Sequence, residues 1–343
     1  MNTTERIKMS VDDVLAGLNP NLRKAITKAS EIETPAKIRT PSVGMNLALN
    51  GGLQLGRQVL VWGSKSSSKS STCLQMVGMA QEDGYVCAWI DAEMSYDTKW
   101  AERLGVNNDE LIYSKARTIN DMVDVTTQLI EAGVDVIVID SISALLPAVY
   151  FEKNTDDLKQ LEDTKQIGAE SRDFGNAWKM INYINNKNKP TLVVAISQAR
   201  NNINAMYTKP QPMGGNSTMF YSSTIIKLFS SESENKAIDA KIKVGDKVLK
   251  EKVGRVVNWD VQFNKTSAGF QSGEYEFYFK GDMVGVDTVG ELIDEALKRG
   301  VIARRAAYYD IEGSTYQGKP AASQALRDDP ELLQRILAAV NGD

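Results

Sequence analysis

Apolar residues along this chain follow three kinds of pattern, and the kinds are segregated. Up to about residue 30 they recur at helical spacing, with Val11, Val14, Leu15, Leu18, Leu22 and Ile26, and Asn19-Pro20 interrupts the run. From Arg57 the pattern changes to short, β-branched, nearly continuous apolar runs: "QVLVW" (58–62), "VCAWI" (86–90), "VDVIVID" (134–140) and "TLVVAIS" (191–197). Strands buried on both faces read this way, and helical stretches separate them, which predicts a mostly parallel sheet with crossover helices. Later runs alternate: "VVNWDVQF" and "EYEFYF" predict antiparallel strands added at an edge. After Gly285 helical spacing returns in "TVGELIDEALKRGVI" and "PELLQRILAAV", around a hairpin in "AAYYDIEGSTYQGK". The expected organisation is an N-terminal helical element over 1–37, an α/β core over 38–282 and a small C-terminal α/β domain over 283–343.

Composition narrows the chemistry. With 343 residues, 42% of them hydrophobic and 24% charged, the chain can build one large core with small satellites. A net charge of −4 predicts no wholesale attraction to nucleic acid, so any nucleic-acid surface must be local. The two cysteines, Cys73 and Cys87, sit in apolar surroundings without C-x-x-C spacing, which argues against a disulfide framework or a zinc site and for a reducing cytoplasm. No run approaches the ~18 apolar residues of a membrane span, and the amino terminus lacks an apolar signal region. The absence of histidine removes the usual general base and the commonest transition-metal ligand. Catalysis must use carboxylates, lysines, hydroxyls or a hard metal ion.

The strand "QVLVW" runs into "GSKSSSKSST" (63–72), which by composition alone is a flexible linker. The same stretch fits G-x-x-x-x-G-K-[ST], with Gly63, Lys69 and Ser70 in place and Ser68 where the second glycine normally stands. Context decides between the two. The helical run "STCLQMVGMAQ" follows at once, and linkers do not sit between a buried strand and its own crossover helix. Gly63, Ser64, Lys65, Ser66, Ser67, Ser68, Lys69, Ser70 and Ser71 are therefore expected to cradle phosphate with backbone N–H groups at a helix N-terminus. Lys69 adds positive charge toward the terminal phosphates, and Ser70 offers a hydroxyl to Mg²⁺. Serine at 68 is a departure, because glycine tolerates a backbone geometry that serine adopts at a cost.

A carboxylate at a strand end is the expected second half of such a site, and Asp140 supplies it; with the loop it points to a Mg-nucleotide. Between them "AWIDAEMSYDTKW" places Asp91, Glu93 and Asp97 beyond another buried strand. Three acids there are ordinarily a solvated turn. Without histidine, however, a carboxylate must orient or deprotonate an attacking water, and Glu93 is the best-placed candidate.

These segments, together with "ISQARNN", "MGGNSTMFYSS", "FNKTSAGFQSGEYEFYF" and "GELIDEALKRGVIARRAAYYDIEGSTYQGK", occur in the order and spacing of the RecA-type DNA recombinases, which the chain resembles over about residues 38 to 340. The resemblance implies a RecA-like P-loop ATPase core, ATP and Mg²⁺ as cofactors, single-stranded and double-stranded DNA as partners, and a homo-oligomeric helical filament in the cytoplasm, with no membrane. It implies that Lys69 and Ser70 hold phosphates and metal, that Glu93 positions the hydrolytic water and that Asp97 contacts the adenine amino group. Trp100 stands where an aromatic ring stacks on adenine, although a tryptophan there also reads as core. Gln198 matches the glutamine that senses the γ-phosphate and couples it to a DNA-binding loop.

Two loops should meet DNA. The first carries Ile167, Gly168, Arg172 and Lys179; the last two share a helix face that would otherwise simply be solvated. The second, "ARNNINAMYTKPQPMGGN", is long and rich in Gly, Pro and Asn. There Arg200, Lys209 and Gly214, Gly215 and Asn216 offer charge and close backbone approach to phosphate, and Ile203 could wedge between bases. Phe220 and Lys265 match residues of the subunit interface, Phe220 transmitting nucleotide state and Lys265 reaching the neighbour's ATP. Lys298, Arg299, Arg304 and Arg305 form a local basic cluster expected to capture duplex DNA, or else to cap a helix end.

The chain departs from the family at Ser68, and at Met219 and Phe263, where bacterial enzymes place lysines that reach the neighbouring ATP. It also ends at "AAVNGD" without an extended acidic tail, so autoinhibition by such a tail is not expected. The divergent loop and missing histidines fit a bacteriophage source. A ring-forming motor of the replicative-helicase type shares the core fold, and a non-hydrolysing filament is the further alternative.

Overall fold

Helices form where the sequence caps them, beginning in the first of two compact units, Met1–Ala36. Ser10 starts α1 (Val11–Ala16) through a reciprocal box in which its hydroxyl accepts the Asp13 N–H at 3.1 Å and the Asp13 carboxylate accepts the Ser10 N–H. α2 (Pro20–Arg23) opens on a proline, whose missing N–H costs nothing in a first turn. Val11, Val14, Leu22 and Ile26 all face outward, so the apolar spacing of this segment marks a surface that its own unit does not bury. The structure is a computed structural model describing residues 9–151, 169–187, 189–200, 210–230, 237–244 and 247–342.

The second unit is Lys37–Asp343. A ribbon of β1 (Lys37–Ile38) and β2 (Leu53–Gln54) flanks α3 (Val43–Ala48). Strands and helices then follow as β3 (Gln58–Gly63), α4 (Lys69–Glu82), β4 (Cys87–Asp91), α5 (Thr98–Arg103), β5 (Leu111–Lys115), α6 (Ile119–Glu131), β6 (Val136–Asp140), α7 (Ala169–Lys187), β7 (Leu192–Arg200), β8 (Gln211–Pro212), α8 (Gly215–Tyr221) and β9 (Thr224–Phe229). Antiparallel strands β10 (Ala237–Val244), β11 (Lys247–Asn264), β12 (Gln271–Tyr278) and β13 (Gly285–Val286) come next. The C-terminal segment holds α9 (Thr288–Lys298), a small sheet of β14 (Ala303–Arg305), β15 (Tyr308–Ile311) and β16 (Ser314–Gln317), then α10 (Gly318–Asp328) and α11 (Pro330–Asn341).

Six strands, in the order β9-β3-β7-β6-β4-β5, are parallel, and β11, β12 and β13 extend that sheet antiparallel from β9. Continuous apolar runs serve it because both faces are covered: Val59 and Val61 of β3 join one core cluster, Leu60 and Trp62 the other. The same alternation holds in β6, with Val136 and Val138 on one face and Ile137 and Ile139 on the opposite one. Burying each such side chain contributes roughly 1.5–3 kcal/mol. Cys73 and Cys87 are free thiols inside the first cluster, and burial pushes both up, Cys87 to about 12. A third cluster of α9, α10, α11 and the small sheet also takes in Val43 of α3.

The four apolar runs read from the sequence are β3, β4, β6 and β7, and the alternating ones are β11 and β12. Two parallel strands escaped that reading. β5 buries only Leu111 because it is the sheet edge, and the apolar run of β9 is broken by Lys227. Among the described residues, no helix is long and apolar enough to cross a membrane.

Candidate functional site

Strand register brings the candidate residues to one edge of the sheet. Gly63 of β3 lies opposite Gln198 of β7, and Asp91 of β4 opposite Asp140 of β6, so the carboxyl ends of four core strands stand level.

The stretch after β3 is a tight loop feeding α4. A Cβ on Gly63 would stand 1.8 Å from the Leu228 carbonyl oxygen, so only glycine fits there. Ser66 and Ser68 both adopt the left-handed conformation, at φ 61° each. A non-glycine residue there costs about 1–2 kcal/mol, the penalty expected for serine at position 68. Ser68 makes no side-chain cap; the first helical bond runs from the Thr72 N–H to the Ser68 carbonyl at 2.9 Å, leaving the amides of Lys69, Ser70 and Ser71 without helical acceptors. Those amides, with the helix dipole, form an anion-binding end.

Lys69 is only 7% exposed and folds back onto the loop, donating to the carbonyls of Ser64 at 2.8 Å and Gly63 at 3.2 Å. Burial holds its ammonium below the usual lysine range, against the opposing pull of Asp140 and Glu93. Asp140 is buried at the end of β6, where desolvation pushes its carboxyl up to about 6; the Ser70 hydroxyl, Lys69 and the neighbouring acids modulate that shift. Ser70 and Asp140, close enough that the hydroxyl lowers the carboxyl's pKa against desolvation, are the donor set a hard cation would take. Among the described residues no group of three or more acids or cysteines could hold a metal ion alone. A cation here would therefore need phosphate oxygens to complete its shell, as a Mg-nucleotide provides.

Glu93 is held from two sides. Its Oε1 accepts the Ser141 hydroxyl at 2.5 Å and the Gln198 side-chain amide at 2.9 Å. The Asp140 carbonyl accepts the backbone N–H groups of Ala92 and Glu93, which fixes the turn that carries it. Asp91, by contrast, faces inward: its carboxylate accepts the Tyr96 N–H at 3.0 Å and the Tyr113 hydroxyl at 3.1 Å, so it shapes the turn and only Glu93 points toward the loop side. Asp97 caps α5 by accepting the Trp100 N–H at 2.8 Å. Trp100 is half-buried against the first core cluster while its indole N–H donates to Ser71 at 3.1 Å, which ties the ring to the phosphate loop.

Gln198 is also the base of the second predicted DNA loop. Its carbonyl accepts the Met213 N–H at 3.1 Å, its own N–H reaches the Ser143 hydroxyl at 2.9 Å, and β7 pairs with β8 from Ala199 and Arg200. Gly214 and Gly215 carry φ of 94° and 73°, and a Cβ on Gly215 would meet the Ser171 hydroxyl at 2.7 Å. That close approach seats the start of α8 on the start of α7 at Ser171, the residue before Arg172, and Asn216 there is exposed. Arg172, Lys179 and Arg200 are exposed; Ile167, Gly168, Ile203 and Lys209 lie outside the described residues.

Phe220 is 76% exposed. Lys265 is exposed too, its ammonium 5.9 Å from the Phe263 ring centroid. Among the described residues no hydrogen bond joins Phe220 or Lys265 to the phosphate loop of the same chain. In the C-terminal segment Lys298 pairs with Glu295 at 2.6 Å, Arg304 lies over Tyr309, and Arg299 and Arg305 are exposed.

Sequence reasoning passed over four supporting side chains: Ser141, Ser143, Tyr113 and Arg255, the last donating to the Ser66 carbonyl at 2.6 Å. The serines of "IDSIS" directly follow Asp140 and were findable as polar groups in an apolar strand end. Arg255 carried no signal, being one cation in a strand far along the chain.

Comparison with known proteins adds independent findings. Residues 22–279 match the family model of the RecA N-terminal domain. Over 318 residues, which is 91% of this chain and 80% of the relative, the sequence is 34% identical to Protein RecA of Methylobacterium sp. (strain 4-46).

Proposed function

The chain belongs to the RecA family, and from that premise we propose how its residues share the work of recombination. The protein is an ATP-dependent recombination and strand-exchange protein, a DNA-dependent ATPase. Gly63 to Ser71 hold the phosphates, Ser70 and Asp140 the cation, and Asp97 and Trp100 the adenine. Bound Mg²⁺ would neutralise phosphate charge. Lys69 exchanges its loop carbonyls for phosphate oxygens at little geometric cost, since its ammonium already sits inside the loop.

Glu93 orients the attacking water. The observation that carries this reading is its double hold by Ser141 and Gln198, because Gln198 also grips Met213 at the foot of the second DNA loop. A γ-phosphate that attracts the Gln198 amide would loosen it from Glu93 and shift the loop that carries Arg200, Ile203, Gly214, Gly215 and Asn216. Ile167, Gly168, Arg172 and Lys179 form the second side of the primary single-strand site. The basic C-terminal cluster takes duplex DNA.

Helical filaments, rather than closed rings, are supported by the outward apolar positions of α1 and α2 and by exposed Phe220, surfaces that suit packing on a second copy with Lys265 near the neighbour's nucleotide. The buried free thiols support a reducing cytoplasm, and the divergent DNA loop supports a bacteriophage source. Electron microscopy on single-stranded DNA with a slowly hydrolysed ATP analogue tests the assembly: helical filaments are expected, and closed rings would favour the helicase-type reading. A steady-state ATPase assay with and without DNA tests turnover; none in either condition would favour the non-hydrolysing filament.

A further inference from the structure

We propose that Arg255 is a positioning residue for the nucleotide site, bracing the phosphate loop in a backbone conformation for which the sequence supplies serines in place of glycine. The inference rests on the assignment of Gly63 to Ser71 to phosphate binding.

The loop has two left-handed serines, Ser66 and Ser68, and its carbonyls are held unequally. Those of Gly63 and Ser64 accept from Lys69, the side chain that phosphate would draw away. The carbonyl of Ser66 accepts instead from Arg255 Nη1 at 2.6 Å, across 189 residues of chain. Among the described residues, Arg255 is the one side chain from another element that bonds a backbone carbonyl of the loop; Trp100 meets only the Ser71 hydroxyl. Its hold survives when Lys69 turns to phosphate.

Arg255 is itself well fixed. Its guanidinium lies 5.6 Å from the Phe279 ring centroid, and its backbone pairs with Phe277 of β12. Gly254 beside it allows close strand approach, since a Cβ there would lie 2.7 Å from the Phe277 carbonyl oxygen. No carboxylate among the described residues forms an ion pair with it. A planar guanidinium can stack on an aromatic face while donating from its edge, which a lysine ammonium cannot do. The antiparallel extension of the sheet thus ends in a donor aimed at the strained part of the loop.

The test is a set of variants, Arg255→Ala, Arg255→Lys, Ser66→Gly and the Arg255→Ala/Ser66→Gly double, with Lys69→Ala as control. Binding of a fluorescent ATP analogue with Mg²⁺ and the DNA-stimulated kcat and KM are measured. Arg255→Ala is expected to weaken nucleotide binding about fivefold to tenfold, raising KM more than it lowers kcat. Arg255→Lys should recover little of the loss. In the double variant binding should return to within about twofold of the Ser66→Gly parent, because glycine takes the left-handed conformation unaided. Unchanged binding in Arg255→Ala overturns the proposal. So does an equally deep loss in the Ser66→Gly background, which would mean that Arg255 acts as a charge on the phosphates. Should Arg255→Ala fail to fold, Phe279→Leu, which removes the stack and keeps the arginine, must show a smaller loss in the same direction. If Lys69→Ala binds nucleotide like the wild type, the loop assignment itself fails, whatever Arg255 does.

Discussion

Gln198 donates its side-chain amide to Glu93 at 2.9 Å, linking the ends of β7 and β4 across 105 residues of chain. The same residue closes the base of the second DNA loop through its backbone carbonyl, which accepts the Met213 N–H, so one residue stands between the candidate catalytic carboxylate and the candidate DNA surface. Glu93→Gln keeps the shape and removes the charge; nucleotide binding should persist while turnover falls about 10²- to 10⁴-fold. Gln198→Ala should bind nucleotide but lose most DNA stimulation of ATPase. Full stimulation in that variant would disconnect the two sites.

Asp140 tests the metal assignment through pH. Its folded pKa of about 6 exceeds the ordinary aspartate value of 3.8, so folding takes up a proton between the two, and stability falls as pH rises from about 4 to 6, then levels. Asp140→Asn should remove that slope and melt higher than wild type at pH 7.5 without nucleotide, by up to roughly 3 kcal/mol for about two pKa units. The same variant should lose Mg²⁺-dependent ATPase. A lower melting temperature together with full activity would exclude Asp140 as cation ligand.

A second buried carboxylate fastens the C-terminal segment. Glu291 of α9 accepts the Ser42 hydroxyl at 2.7 Å, the Val43 N–H at 2.9 Å and the Gly44 N–H at 3.1 Å, at the start of α3. Glu291→Ala leaves three donors unpaired and should cost about 2–4 kcal/mol in denaturant unfolding. Burial pushes the Glu291 carboxyl up to about 7 against those hydrogen bonds, so its contribution to stability falls as pH rises from about 4.5 to 7. A Glu291→Gln titration should lack that component of the slope.

Arg200 leads into the second DNA loop from the exposed end of β7. Arg200→Ala should weaken single-strand binding and reduce the slope of log affinity against log salt by about 1, one phosphate charge being no longer neutralised. Unaltered affinity and slope would place the primary DNA contacts elsewhere.

Neutralising Lys298, Arg299, Arg304 and Arg305 together should lower homologous duplex pairing and leave ATPase on single strands nearly intact. Lys298 is already paired with Glu295, so restoring Lys298 alone should recover little, whereas restoring Arg299 and Arg305 should recover most. A joint fall of both activities would break the proposed division between core and C-terminal segment.

By itself the sequence determined the sheet and the position of the nucleotide loop. Strands covered on both faces must be apolar throughout, so β3, β4, β6 and β7 were legible as runs, and Gly63, Lys69, Asp140 and Glu93 as the polar residues at their ends. The strain at Ser68 was legible as well, because it is a local property of one residue's backbone. The sequence singled out Glu93 among Asp91, Glu93 and Asp97, but it did not tell that Asp91 turns inward, that Ser141 and Gln198 hold Glu93, or that Arg255 holds the loop. It also left β9 unread. Only the tertiary structure decided these, for one physical reason. Whether two side chains meet depends on strand register and on the direction each Cβ leaves its strand, and those are set by pairing between segments as far apart as Ser66 and Arg255.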